Sequence, residues 1–256
     1  MEPAFDSHAH WDHLRFDEDR DLLLPTLPKS GVGLVMNAGC NLASSRRSVE
    51  LAERYPFIYA AVGTHPEDAD EWSADVEKAY RTMAQNPKVR AIGEIGLDYY
   101  YGGENREKQK AVFAAQLSMA QALHLPVIVH DRDAHGDAME LVRAFDGVQG
   151  VFHCFSGSVE MAQELVRRGW YIGFTGVLTF RNARKAVEAA AALPLDRILI
   201  ETDCPYMAPE PHRGKRCDSR LVRLTAARLA EIRGISEDEA ICATRENAKR
   251  LFGIEQ

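Results

Sequence analysis

The chain has 256 residues, of which 46% are hydrophobic and 27% are charged, and its formal net charge is −7. This composition predicts a folded chain with a sizeable core, and the negative charge excludes the broad basic surface of proteins that bind nucleic acids by bulk electrostatics. No apolar run reaches the ~18 residues of a membrane span, and no signal-peptide pattern follows Met1. A single domain over residues 1–256, located in the cytoplasm, is therefore expected.

Short apolar runs alternate with amphipathic stretches along the chain, which is typical of βαβ units and a parallel sheet. The predicted strands are Ala4–Asp6, Leu34–Asn37, Ile58–Gly63, Ala91–Leu97, Val127–His130, Val151–His153, Tyr171–Phe174 and Ile198–Glu201. The clearest predicted helices are Glu104–Leu123, Glu160–Arg168, Asn182–Leu193 and Ser219–Arg233. Eight strands with helical crossovers favour an α/β fold, a (β/α)8 TIM barrel, over an open sheet. A final helix, Ser236–Leu251, begins with a capping signal and is predicted as an appendage.

Histidines and carboxylates occur where the predicted strands end, which is the face of a barrel on which active sites form. These residues are His8, His10, Glu94, His130, His153 and Asp203. His8 and His10 are two residues apart in an extended segment, so both project from one face. A single histidine at a strand end is more often structural, but six donors at one rim exceed the three protein ligands of a single catalytic zinc. Two divalent ions about 3.5–4 Å apart would account for them.

These segments resemble the TatD family of metal-dependent deoxyribonucleases, within the wider amidohydrolase-like barrels. The resemblance runs from residue 4 to 252 and is carried by the blocks Asp6-Ser7-His8-Ala9-His10, Gly63-Thr64-His65-Pro66, Gly93-Glu94-Ile95-Gly96-Leu97-Asp98-Tyr99, Val129-His130, His153-Cys154-Phe155-Ser156-Gly157-Ser158 and Glu201-Thr202-Asp203-Cys204-Pro205-Tyr206. It implies that one metal is held by His8, His10, Glu94 and Asp203. It also implies that Glu94 bridges to a second metal held with His130 and His153. His65 is expected beside the bound phosphate.

The ligands predict a hydrolase in which a divalent metal activates the attacking water, because metal-bound water has a pKa of about 7. Neither a serine nor a cysteine nucleophile is then required. We expect Asp203 and Glu94 to be the catalytic residues, with Asp203 orienting or deprotonating the water that attacks a phosphodiester. Glu201 is expected to hold one of the metal-binding side chains in position without binding the metal itself. Zinc, manganese, nickel and magnesium all suit this donor set.

An acidic chain needs local basic residues to bind an anionic substrate. Arg213 and Lys215 in the loop 212–216 are expected to bind it. Loops after the seventh and eighth strands of barrels are frequent phosphate sites, and Gly214 allows the backbone to approach closely. Where the family commonly continues this loop with Asn, an acidic residue and Pro, this chain has Cys217-Asp218-Ser219.

Two further features each allow two interpretations. Arg132, which follows the fifth predicted strand, either contacts substrate phosphate or pairs with Asp131 or Asp133. The tyrosines in the segment 99–101 either stack unpaired bases, for which aromatic rings are suited, or pack against the protein.

The expected substrate is nucleic acid, as DNA ends or single strands, with no membrane and no obligatory protein partner. One alternative is an amidohydrolase or esterase acting on a small cyclic amide, a lactone or an aminoacyl-tRNA. Many amidohydrolases bridge their metals with a carboxylated lysine on the fourth strand, where this chain has Glu94. The other alternative is a catalytically silent barrel that keeps its metals as an interaction module, which metal-dependent turnover of any substrate would exclude.

Overall fold

The computed structural model describes residues 2–255. The strands in this range are β1 (Ala4–Ala9), β2 (Val32–Ala38), β3 (Ile58–Val62), β4 (Val89–Asp98), β5 (Val127–Arg132), β6 (Gly150–Phe152), β7 (Tyr171–Phe174) and β8 (Ile198–Ile200). The α-helices in the same range are α1 (Arg20–Leu23), α2 (Leu42–Arg54), α3 (Ala74–Met83), α4 (Arg106–Leu123), α5 (His135–Ala144), α6 (Val159–Arg167), α7 (Arg184–Ala192), α8 (Val222–Arg233) and α9 (Glu237–Phe252). Short 3-10 helices cover Leu14–Phe16, Leu24–Thr26, Pro28–Ser30, Pro66–Glu71, Gly176–Thr179, Leu195–Arg197 and Ser219–Leu221.

The strands form one sheet whose hydrogen-bonded neighbours follow chain order from β1 to β8. The registers of β1 with β2, β3 with β4, β4 with β5, β5 with β6 and β7 with β8 are all parallel. A parallel bridge between Ala9 and Cys204 joins β1 to the chain that follows β8. The predicted (β/α)8 barrel is confirmed. No helix within residues 2–255 is long and apolar enough to cross a membrane.

All eight predicted strands form, and the differences lie at their ends. β7 has the predicted bounds, whereas β1 continues past Asp6 to Ala9, which pairs with Asn37. β4 likewise continues to Asp98, which pairs with Arg132. In both strands the main-chain pairing continues through polar residues that follow the apolar run. The hydrophobic pattern of the sequence predicts the apolar part of a strand, but it does not predict the polar residues that continue the strand.

The chain divides into two compact units. The first contains the described residues up to Asn37 and those from His153 onward, and the second contains Ala38–Phe152. The single domain expected from the sequence therefore stays a prediction.

In the first unit, α9 packs against β1 and β8. The ring centroids of Phe5 and Phe252 are 6.0 Å apart, and the side-chain amide of Asn247 donates hydrogen bonds to the carbonyls of Leu195 and Ile198. The helix begins where the capping signal predicts, since the Ser236 side chain accepts a hydrogen bond from the backbone of Glu239.

In the second unit, two buried glutamines on α4 hold the backbone where β3 and β4 end. Gln116 accepts a hydrogen bond from the Thr64 nitrogen at 2.8 Å and donates one to the Thr64 oxygen at 2.9 Å. Gln109 accepts from the Asp98 nitrogen at 2.9 Å and donates to the oxygens of Asp98 and Gly102. The two glutamines are about two helical turns apart and therefore lie on one face of α4.

We expect Gln116→Leu to lower the free energy of unfolding by at least about 2 kcal/mol, because it leaves two buried main-chain groups unsatisfied at about 1–3 kcal/mol each. Urea denaturation followed by circular dichroism measures the change. Gln121→Leu, on the exposed side of the same helix, is the matched control and should cost less than about 0.5 kcal/mol. Equal effects of the two substitutions would contradict the anchoring role of Gln116.

Candidate metal centre

The first unit brings three of the predicted ligands together where β1 ends. The Nε2 atoms of His8 and His10 are 3.0 Å apart. Asp203 Oδ1 lies 3.6 Å from Nε2 of His8 and 3.3 Å from Nε2 of His10. Donors that each lie about 2.1 Å from one ion are about 3.0–3.4 Å from one another in octahedral or tetrahedral geometry. These nitrogen and oxygen atoms therefore suit a shared divalent ion.

Main-chain pairing places Asp203 beside the two histidines. The Asp203 nitrogen donates a hydrogen bond to the His8 oxygen at 2.9 Å, and the His10 nitrogen donates one to the Cys204 oxygen at 2.8 Å. Asp203 itself has a φ of 56°, a left-handed conformation that Asp and Asn tolerate better than most residues. The turn after β8 thus directs the carboxylate toward the end of β1.

The surroundings of Asp203 keep its carboxylate ionised. Burial raises the pKa of this group, but the hydrogen bond with His10 and the charges of His8 and His153 outweigh burial and hold the pKa below its usual value. Asp203 is therefore anionic at neutral pH, as a metal ligand must be.

His153 lies in the same unit and stacks on His8, with ring centroids 4.0 Å apart and ring planes 12° apart. The carboxylate of Glu201 is 3.7 Å from Nδ1 of His153 and accepts a hydrogen bond from the Cys154 nitrogen at 2.6 Å. Burial raises the pKa of Glu201 to about 7. Glu201 thus lies behind His153, which is the placement expected from the sequence.

The second unit brings Glu94, His130 and His65 together. Nδ1 of His130 lies 2.8 Å from Oε1 of Glu94, and Nε2 of His65 lies 3.6 Å from the same oxygen. One potential ligand atom from each of these three residues lies within 4.8 Å of the other two. Gly96 has a φ of 143°, and a Cβ atom there would lie 1.9 Å from the His130 oxygen. Only glycine therefore allows β4 to approach β5 this closely at the candidate site.

Asp98 lies in the candidate site, although its residue type and position did not assign it there. Its Oδ2 atom forms a 3.0 Å hydrogen bond with Nε2 of His130, and a carboxylate on the far nitrogen of a ligating histidine fixes the ring orientation. The sequence contained a signal that could have assigned Asp98 to the site. Glu94 and Asp98 are four residues apart on one strand, so their side chains share a face. Burial lowers the pKa of His130, but Asp98 and Glu94 together raise it to about 10. This concentration of negative charge favours a cation.

His65 also caps a helix. Its Nδ1 atom accepts a hydrogen bond from the Glu67 nitrogen at 3.2 Å. A neutral ring with an accepting Nδ1 carries its proton on Nε2, the atom that faces Glu94. His65 can therefore donate a hydrogen bond to an anionic oxygen beside Glu94.

The predicted phosphate-binding residues of the first unit, Arg213 and Lys215, are both exposed. The guanidinium carbon of Arg213 lies 4.2 Å from the centroid of the Phe180 ring. Gly214 between them has a φ of 84°, so the turn uses a conformation that favours glycine.

The segment 217–219, which departs from the family pattern, forms hydrogen bonds both within itself and with a distant part of the chain. Asp218 caps the 3-10 helix that follows by accepting a hydrogen bond from the Arg220 nitrogen at 2.9 Å. Ser219 accepts one from the indole nitrogen of Trp11 at 2.8 Å. Because Trp11 follows His10 directly, this segment supports the chain beside a predicted ligand.

Tyr206 and His13 are neighbours of the site in the first unit that sequence reasoning missed. The Tyr206 ring lies edge-on to His10 with centroids 6.4 Å apart, and its hydroxyl is 3.1 Å from Nε2 of His13. Arg15 lies over the same tyrosine ring. Nothing in the residue types or their spacing along the chain indicated this grouping.

Nitrogen and carboxylate donors at the strand ends of a barrel are typical of metal-dependent hydrolases, and the comparisons with known proteins support this class. The family model described as TatD related DNase matches residues 5–253, and the chain belongs to this family. The chain is 38% identical to the metal-dependent hydrolase YabD of Bacillus subtilis, over 98% of this chain and 99% of the relative.

Two further proteins extend the comparison. The 3'-5' ssDNA/RNA exonuclease TatD of Citrobacter koseri is 35% identical, over 98% of this chain and 99% of that protein. The crystal structure of YjjV, a TatD homologue from Escherichia coli, superposes with a TM-score of 0.92 at 31% identity and covers 98% of both chains. The protein is a metal-dependent hydrolase of the TatD family.

Proposed function

We propose that this protein is a metal-dependent deoxyribonuclease that hydrolyses phosphodiester bonds at DNA ends or in single strands, in the cytoplasm. The observation that carries the proposal is the grouping of His8, His10 and Asp203, whose donor atoms lie 3.0–3.6 Å apart. The substrate class is supported by the relative named as a 3'-5' ssDNA/RNA exonuclease.

The proposed enzyme holds two divalent ions, and the assignment of ligands follows the family resemblance. By that resemblance His8, His10, Glu94 and Asp203 would hold one ion, and Glu94, His130 and His153 would hold the other. When bound, such ions lower the pKa of water and polarise a phosphodiester. Zinc, manganese, nickel and magnesium all accept these donors.

The remaining chemistry belongs to side chains of the protein. Asp203, which its lowered pKa keeps ionised, orients the attacking water or accepts its proton. His65 donates a hydrogen bond from Nε2 to a phosphoryl oxygen. Asp98 orients the ring of His130 through a hydrogen bond, and the carboxylate of Glu201 lies behind His153, 3.7 Å from its Nδ1 atom.

Exposed basic residues bind the substrate backbone in this proposal. Arg213 has a planar guanidinium that can donate hydrogen bonds to two phosphate oxygens at once, whereas Lys215 carries a point charge. Both are exposed beside Gly214, on the loop that follows β8 in the first unit. Arg132 contributes from the second unit.

A substrate panel tests the function directly. Purified protein loaded in turn with zinc, manganese, nickel and magnesium is assayed on single-stranded DNA, duplex DNA, RNA, aminoacyl-tRNA and a lactone. We expect metal-dependent release of nucleotides from single-stranded DNA. Turnover of the lactone or of aminoacyl-tRNA alone would replace the nuclease assignment, and no turnover of any substrate would favour a binding module.

We expect Glu94→Gln to lower the number of bound metal ions per protein from two to one or none and to abolish most activity. Glutamine nearly keeps the shape of the bridging side chain but removes its negative charge. Elemental analysis of purified protein beside a turnover assay measures both effects. Glu50→Gln, the same change at an exposed position of α2, should alter neither. One tightly bound ion in fully active wild-type enzyme would contradict the bridging role.

We expect Asp203→Asn to lower kcat by orders of magnitude without unfolding the protein. The substitution removes an anionic ligand and the proposed base, but asparagine tolerates the same left-handed backbone. Thermal unfolding and steady-state kinetics on metal-loaded protein are measured together. Asp196→Asn, at the exposed amino end of β8, is the matched control. Retained activity in the Asp203 variant would place the base elsewhere.

A further inference from the structure

The segment that follows β4 exposes two adjacent aromatic rings. The exposed fractions of Tyr100 and Tyr101 are 60% and 63%. Their ring centroids are 4.7 Å apart and their planes are perpendicular. More than half of each side chain is therefore accessible to a ligand.

Arg132 lies against both rings. Its guanidinium carbon is 4.2 Å from the centroid of Tyr100 and 4.7 Å from that of Tyr101. Neither Asp131 nor Asp133 forms an ion pair with it within residues 2–255, and the carboxylate of Asp131 lies instead 2.7 Å from Nδ1 of His135. Across residues 2–255, the Arg132 guanidinium forms no hydrogen bond or ion pair. Its N–H donors remain available to an anion.

The position of the two rings is fixed by the candidate metal centre. Oδ1 of Asp98 accepts hydrogen bonds from the nitrogens of both Tyr100 and Tyr101, each at 2.8 Å. The other oxygen of the same carboxylate binds His130. Since one side chain holds both a predicted ligand and the aromatic segment, the rings are preorganised beside the site, which lowers the entropic cost of binding.

We propose that Tyr100, Tyr101 and Arg132 form a nucleotide subsite, in which an unpaired base stacks on a tyrosine ring and the adjoining phosphate binds the guanidinium. The proposal rests on the proposed nuclease function and deepens it. Every base has a π-face, so stacking of this kind requires an unpaired base and tolerates any sequence. In a duplex the neighbouring base pairs cover those faces. The subsite therefore selects single strands over duplexes.

The test measures binding of a fluorescein-labelled phosphorothioate oligothymidylate, which resists hydrolysis, to the metal-loaded protein by fluorescence anisotropy. We expect the double variant Tyr100→Leu/Tyr101→Leu to raise the Kd about tenfold, the scale expected for losing one stacked base. The double variant Tyr100→Phe/Tyr101→Phe keeps both rings and should bind within about twofold of wild type, since base–aromatic stacking depends on the ring face.

A matched control is available on β3. Tyr59 also lies beside a cation, with the Lys88 nitrogen 4.4 Å from its ring centroid, but it is near the amino end of its strand. Tyr59→Leu should leave the Kd unchanged. Thermal unfolding of every variant verifies that the fold is retained.

Two further arms separate base contacts from phosphate contacts. An abasic phosphorothioate strand has no base to stack, so wild type and the double leucine variant should bind it equally. Arg132→Met keeps the aliphatic stem but removes the charge, and it should reduce the slope of log Kd against log salt by about 0.7, the value for one phosphate contact with a single strand.

The failure of the subsite and the failure of the nuclease function give different results. If wild type neither binds nor cleaves single-stranded DNA, the nuclease function and the subsite are both overturned. If wild type binds and cleaves but the leucine variant binds the oligothymidylate as tightly as wild type, the subsite alone is overturned. An equal loss of binding to the normal and abasic strands would also overturn it, because stacking would not be the cause.

Discussion

Buried main-chain groups must find hydrogen-bond partners where the strands end, and this requirement governs the arrangement of the site. Beyond the last ladder bond, a chain that remains buried has no neighbouring strand to satisfy it. Here buried side chains supply the partners, as Gln116 does for Thr64 and Gln109 does for Asp98. The loops that carry functional groups are therefore held by specific polar contacts rather than by general packing.

The second constraint is electrostatic. The donors in each unit combine imidazoles with carboxylates that are almost fully buried, Asp203 in one and Glu94 in the other. A buried carboxylate is costly unless a positive group compensates it. Protonated histidine can supply that charge, and His130 shows this tendency in its raised pKa. A divalent ion supplies this positive charge more completely. The same set of donors is therefore energetically unfavourable without a metal and suited to binding one.

The sequence predicted the strand order, the class of fold and the grouping of His8, His10 and Asp203, because strand ends of a parallel barrel meet on one face. It did not predict Asp98, whose role depends on which nitrogen of His130 it contacts. Nor did it predict Tyr206, which reaches His10 from a turn more than 190 residues away along the chain. It also left open whether Arg132 contacts phosphate or pairs with Asp131 or Asp133, and the Asp131 carboxylate lies beside His135 instead. Such choices follow from side-chain geometry, which residue spacing does not encode.

The spacing of Gln109 and Gln116 on α4 restricts which insertions and deletions this protein can accept during evolution. An inserted or deleted residue between them turns one glutamine by about 100° around the helix axis and shifts it by about 1.5 Å. Either Thr64 or Asp98 would then lose its buried partner. A residue added after Leu123 meets no such restriction. Length variation among related sequences should therefore avoid this seven-residue interval and accumulate at the ends of the helix.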